Sequence, residues 1–392
     1  MTAQAVDQIF VTIKHWLVFR SPAAIQPEVS VLLSVLPLLA IFPGLFALVT
    51  VLERKGLGRM QNRYGPNRVG PYGFLQPLAD GIKALVKEDI VPIGADKLLH
   101  FLAPLLLVMT AFLEYAILPI GRNMVVADMD SGLVFFFAVS AAMELSIFMA
   151  GWSSRNKYSL LGAMRAVAQM ISYEAPLILS AVAVVMAAGS LSTVTIVERQ
   201  AGYSGFWPHW YVLTPWGLAG FILFMIAATA ESNRSPFDLP EAESEIIAGY
   251  FTEYSGFKFA LFFLGEYLGM FAISGLAVTL FLGGWAAPFS FLTWIPSWIW
   301  FFAKLMVLIA GFIWVRGTLP RLRMDQLMNF AWKFMLPMTL VVIFSAGIWH
   351  FMPSGVIRWI VSAIPIAALY VLLGRVLASG RKFEKRTYRF AE

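Results

Sequence analysis

Five glutamates stand where a charged side chain is costly. Glu114, Glu144, Glu174, Glu231 and Glu266 fall within or at the ends of long apolar runs. An ionised carboxylate at the centre of a membrane helix costs about 2.5–3.5 kcal/mol even on lenient insertion scales. Five such costs are a substantial fraction of a protein's typical net stability. Acids so placed need a cation, water or a proton. Desolvation penalises the charged form, and carboxylates lying close together titrate as a coupled set. A chain of them with intervening water can pass protons. For any one glutamate, structural pairing and proton handling are both open readings; the set as a whole favours proton handling. Arg165 and Lys304 are the candidate counter-charges. Arg165 and Glu174 are nine residues apart, roughly 13 Å along a helix, and do not pair within one.

A second acidic group follows directly. Between positions 231 and 253 stand Glu231, Asp238, Glu241, Glu243, Glu245 and Glu253, against the single cation Arg234. Such a run is usually a solvated face. Here it is bracketed by membrane carboxylates, which favours a role with them. Other chemistries are excluded more readily. There are no cysteines, which removes disulfides, thiolate catalysis and iron–sulfur ligation. The four histidines (His15, His100, His209 and His350) are scattered and form no ligand motif, so neither a metal nor any bound cofactor is expected.

The elements that position these acids are membrane spans. The chain of 392 residues is 59% hydrophobic and 13% charged, where a soluble domain carries about 25% charged residues. Its mean hydropathy is +0.74. Apolar runs long enough to cross a bilayer lie at about 29–52, 98–120, 131–152, 160–189, 211–231, 256–283, 298–316, 331–351 and 356–378. The expected fold is therefore an all-α polytopic transmembrane bundle of about nine spans. Many tryptophans and tyrosines, among them Trp152, Tyr158, Trp207, Trp216 and Trp298, sit near run ends as interfacial belts do. The net charge of +6 is a topology signal, not a nucleic-acid signature. Segment 53–97 holds eight positives, and Arg155, Lys157, Arg316, Arg321, Arg323 and the tail after 374 add more. Alternating spans put all of them on one side. The positive-inside rule makes that side cytoplasmic, with the N-terminus outside.

The division follows: an interfacial segment over 1–28, eight spans over 29–352, and an extra span with a basic tail over 353–392. No repeat or second soluble domain is visible. Residues 74–86 are amphipathic, with Phe74, Leu75, Leu78, Ile82, Leu85 and Val86 on one face and Asp80 and Lys83 on the other. Such a helix lies in the interface plane, as a surface anchor or as the wall of a lateral opening. Segment 63–73, RYGPNRVGPYG, reads as an irregular loop. No nucleotide fingerprint surrounds it.

Five segments together carry a resemblance. They are ERKGLGRMQNRYGPNRVGP (53–71), ADGIKALVKED (79–89), GWSSRNKYSLLGAMRAVAQMISYE (151–174), ESNRSPFDLPEAESEIIAGYFTEYSG (231–256) and LPRLRMDQLM (319–328). Over roughly 50–350 the chain resembles the quinone-channel membrane subunit, the H subunit, of proton-pumping NADH–quinone oxidoreductase (respiratory complex I). The resemblance implies a chain that forms the membrane part of a quinone chamber and couples quinone reduction to proton translocation. It implies a bacterial inner-membrane location and, as partners, a hydrophilic arm bearing iron–sulfur clusters, antiporter-like and small membrane subunits, quinone and lipids. Quinone enters as a substrate, with its ring type left open, and electrons arrive from a partner.

Carried over by motif, Glu53, Arg54, Lys55, Asp80, Lys83, Arg165 and Arg316 match the quinone chamber or tunnel. Glu174, Glu231, Asp238, Glu241, Glu243, Glu245, Glu253 and Glu266 match a proton relay. Glu114 and Glu144 lie outside the matched motifs, and local pairing is the reading preferred for them. The corresponding membrane chain of membrane-bound hydrogenases shares ERKGLGR, but the run PFDLPEAESE favours complex I. Ferredoxin-accepting relatives share PFDLPEAE, which leaves the electron donor less fixed than the quinone. A secondary transporter predicts inverted repeats, and none is visible.

Overall fold

The computed structural model describes residues 6–238, 248–353 and 355–379. It is a helical bundle, as the composition requires; among the described residues the β-structure is a two-residue hairpin, Tyr203–Ser204 against Trp207–Pro208, and one isolated bridge. Eight helices are long and apolar enough to cross a membrane. The ninth expected span is shorter. It folds as the 17-residue helix Pro215–Glu231, about 25 Å long, behind a separate turn at Tyr211–Leu213. Thr214 stops it there by accepting the Gly217 amide in its own side chain, with Pro215 in the first turn.

In chain order the helices are α1 (Ile9–Arg20), α2 (Gln26–Met60), α3 (Gln76–Val86), α4 (Lys97–Glu114), α5 (Gly132–Ser153), α6 (Lys157–Ala188), α7 (Thr193–Gln200), α8 (Pro215–Glu231), α9 (Gly256–Phe281), α10 (Ser297–Thr318), α11 (Met324–Phe330), α12 (Leu336–Phe351) and α13 (Val356–Ser379). A π turn, Ala331–Met335, joins α11 to α12. Polar side chains set several boundaries. Asp96 caps α4, and Asn156 caps α6 by accepting the Tyr158 amide at 2.9 Å. At the other end of α6, Gly189 (φ +67°) supplies the left-handed residue that closes the helix.

Burial orders the bundle. In α9, 78% of the most apolar window is buried, against 6% in α13, so α9 is the axis and α13 a peripheral addition. Around α9 pack α2, α4, α8 and α10. Phe42 of α2 stacks on Tyr115 at 3.7 Å, and the Tyr115 hydroxyl donates to the Leu268 carbonyl of α9 at 2.6 Å. The short turn Gly249–Phe251 is pressed onto α6. A Cβ on Gly162 would lie 2.6 Å from the Gly249 Cα, so only glycine permits the approach.

Helix α1 buries no residue and presents Phe10, Trp16 and Phe19 outward. It is tied down at its start, where Asp7 accepts from the Ser297 amide and hydroxyl, each at 2.6 Å. Helix α3 likewise keeps Leu78, Ile82, Leu85 and Val86 exposed.

Candidate functional site

Two adjacent clusters collect about half of the singled-out residues, and consecutive residues of α9 face them. Successive helical residues diverge by about 100°. Tyr267 therefore reaches one cluster while Glu266 reaches the other.

The first cluster is built on Glu53, near the end of α2. Its carboxylate is 6% exposed, so it requires compensation. Arg316, in the last turn of α10, forms an ion pair with Glu53 Oε1. Arg234, just beyond α8, lies 4.0 Å from the same oxygen. The Tyr267 hydroxyl donates to Oε2 at 2.6 Å, and the Arg234 guanidinium stands 3.8 Å over the Tyr267 ring. Four elements thus meet at one acid. The Asp238–Arg321 ion pair (2.8 Å) lies farther along the same loop. Burial raises the Asp238 carboxyl above its ordinary range, opposed by Arg321, Arg316 and Arg234.

The second cluster is the row of membrane acids. Glu114 of α4, Glu231 at the end of α8 and Glu266 of α9 line one cavity of about 20 Å³, together with Ser140 and Asn233. That volume accommodates about one water molecule. Ser140 donates to Glu231 Oε1 at 3.1 Å, and Tyr250 donates to Glu266 Oε1 at 2.7 Å. Glu231 also lies within electrostatic reach of Glu114, Glu144 and Glu174, and Glu144 of Glu174. The local pairing expected of Glu114 and Glu144 is not found. Among the described residues neither forms a salt bridge, and one oxygen of each has no hydrogen-bond partner. They come from α4 and α5 into the same group as Glu231, which sequence separation conceals.

Lys304 is not a counter-charge to these acids. Its ammonium donates to the carbonyls of Leu282, Gly284 and Ala286 at 2.6–2.8 Å and lies 4.1 Å from the Trp210 ring. It serves the unpaired carbonyls beyond α9.

The remaining positions are more dispersed. Arg54 pairs with Asp80 of α3 at 2.6 Å, both half-exposed, and Lys55 donates to the Tyr72 carbonyl. Lys83 is exposed. Arg165 and Glu174 are half-buried on α6. Glu253 accepts from Asn156 at 2.6 Å. Glu241, Glu243 and Glu245 lie outside the described residues. Arg234, Tyr267, Tyr250 and Ser140 were missed as site residues. For Arg234 a signal existed, since it is the single cation in an acidic loop; the other three are common residues without a motif of their own.

Comparison with known proteins bears on what such a site belongs to. The NADH dehydrogenase family matches residues 33–347, ending before α13. The H subunit of NADH-quinone oxidoreductase from Dehalococcoides mccartyi is 51% identical over 300 residues, covering 75% of this chain and 81% of the relative. The corresponding H subunit from Rhodospirillum rubrum is 45% identical over 325 residues, covering 82% and 94%. That of Polaromonas naphthalenivorans is 43% identical over 344 residues, covering 86% and 95%. A multi-pass chain with this match along most of its length belongs to the family of H-type membrane subunits of NADH–quinone oxidoreductase, respiratory complex I.

Proposed function

We propose that this chain supplies the membrane side of the quinone chamber and carries protons away from it through its buried carboxylates. The observation that carries the reading is the adjacency of the two clusters. Glu53 is held by Arg234, Arg316 and Tyr267, and Tyr267 is the next residue along α9 from Glu266, which lines one cavity with Glu114 and Glu231. Two-electron reduction of a quinone takes up two protons, and negative charge developing on the ring alters the protonation of nearby groups. A buried cluster with two guanidiniums and an ionisable tyrosine responds to such charge. The acid row, with Glu144 and Glu174 extending it, then offers successive sites for a proton inside the bilayer.

Helix α3, with its exposed apolar face and the Arg54–Asp80 pair at its base, fits the lateral wall through which a lipophilic quinone enters. Electrons come from a partner bearing iron–sulfur clusters, docked on the side of Arg54, Asp238 and Glu253. That side is cytoplasmic by charge, in an inner membrane, with antiporter-like and small membrane subunits alongside.

The test uses the intact complex with Glu231→Gln and Glu174→Gln. Each variant is assayed for NADH-driven quinone reduction and for proton uptake into vesicles. Proton uptake is expected to fall several-fold in assembled complexes. Full turnover with full pumping in both variants would overturn the relay.

A further inference from the structure

A second, much larger cavity belongs to neither cluster. It is a groove of about 1280 Å³ between α8 and α10, closed at one end by α11 and the π turn. Its volume exceeds the roughly 300–1,000 Å³ of ordinary small-molecule pockets. Phe221 and Met225 of α8 and Val307 and Trp314 of α10 are among its apolar walls. Phe221 to Thr229 and Val307 to Val315 each span nine residues, about 12 Å from first to last along a helix. The hydrocarbon core of a bilayer is about 30 Å thick, so the apolar walls run for nearly one leaflet.

The groove is polar at one end only. Gln326, Asn329 and Lys333 line it there, beside the last turns of α8 and α10, and among the described residues no carboxylate lines it. Lys333 is exposed and forms no salt bridge among the described residues. It sits on the π turn, a local widening of the helix that is common at functional sites. A leaflet-length apolar trough that ends in a cation and two amides matches a lipid with a negatively charged head.

We propose that this groove holds an anionic diacyl phospholipid, its chains along α8 and α10 and its phosphate at Lys333. The proposal rests on the membrane placement of the chain and not on the quinone reading, because its readout is bound lipid.

The experiment quantifies, by mass spectrometry, the phospholipid retained by the intact complex after extended washing in neutral detergent. The wild type is expected to keep phosphatidylglycerol or cardiolipin. Lys333→Gln should reduce that retention about fivefold, the effect of one cation at an anionic headgroup. Gly311→Leu provides an independent variant. Gly311 lines the groove, and a Cβ there meets nothing within 4 Å, so leucine fills lipid space without disturbing the bundle. It should reduce retention as well, whereas Lys14→Gln on α1 should not. The proposal is overturned if the washed complex holds no anionic lipid, or if retention survives either substitution in full. A photo-reactive side chain at position 314 that cross-links to quinone or to a partner protein, and not to phospholipid, also overturns it.

Discussion

Tyr267 donates its hydroxyl to Glu53 Oε2 over 2.6 Å, joining two helices whose partners lie 214 residues apart in sequence. The contact completes a buried acid already facing Arg234 and Arg316. Removing the acid and removing the tyrosine should therefore differ in severity. Glu53→Gln removes the anion of the Arg316 pair, a loss of about 3–5 kcal/mol for a broken buried pair. Tyr267→Phe removes one hydrogen bond to a charged acceptor, about 1.5–3 kcal/mol. Expected outcomes are poor assembly or no quinone reduction for the first and an assembled complex with lowered quinone turnover for the second. Equal behaviour of the two variants, measured as NADH–quinone activity per assembled complex, would contradict the arrangement.

Glu114 shares its cavity with Glu231 and Glu266. Substitution to glutamine keeps the volume and removes the exchangeable carboxyl. Glu114→Gln is expected to leave assembly intact and lower proton uptake per NADH oxidised, as Glu231→Gln should. Vesicle pH measurements alongside NADH oxidation decide it. Unchanged stoichiometry would return Glu114 to a packing role.

Asp238 yields a pH prediction. Its carboxyl is raised on folding, burial outweighing Arg321, Arg316 and Arg234. A group raised in this way contributes stability at pH values below its ordinary pKa, and that contribution is lost as pH rises through the folded value. At neutral pH the ionised side chain is thus a net cost. Asp238→Asn should raise the apparent thermal midpoint of the complex near pH 7, at a fixed scan rate. The advantage should shrink as pH falls and the wild-type acid takes up its proton. A midpoint lowered at neutral pH would show that the Arg321 pair outweighs burial.

Lys304 caps three carbonyls and touches none of the acids. Lys304→Met should cost roughly 1–3 kcal/mol for each carbonyl left buried and unpaired. The complex should lose thermal stability while turnover per assembled complex stays at the wild-type value. Loss of pumping at unchanged stability would restore the counter-charge reading.

Much of the fold could be read from apolar run lengths and charge placement, because a bilayer constrains both. The exception is instructive. The run at 211–231 reads like any other span, yet Thr214 and Pro215 cut its helix to 17 residues, a local effect that hydropathy does not register. Of the residues in the two clusters, Glu53, Asp238 and Glu231 fall within the quoted motifs, and Glu266 stands out by its apolar surroundings. The neighbours of Glu114 and Glu144 come from other helices, and only packing shows that Glu231 lies within electrostatic reach of both. Lys304 was misassigned for the same reason. Its charge was visible in the sequence, but the three carbonyls that hold it were not.

Glu266 and Tyr267 are neighbours on the most buried helix of the bundle. One reaches Tyr250 and the membrane acids, the other Glu53 and its arginines. Because they share one rigid rod, the two clusters are geared to each other. A twist of α9 about its long axis that drew Tyr267 away from Glu53 would swing Glu266 off Tyr250 in the same stroke. Any displacement of this helix would thus act on both clusters together, with no group crossing the space between them.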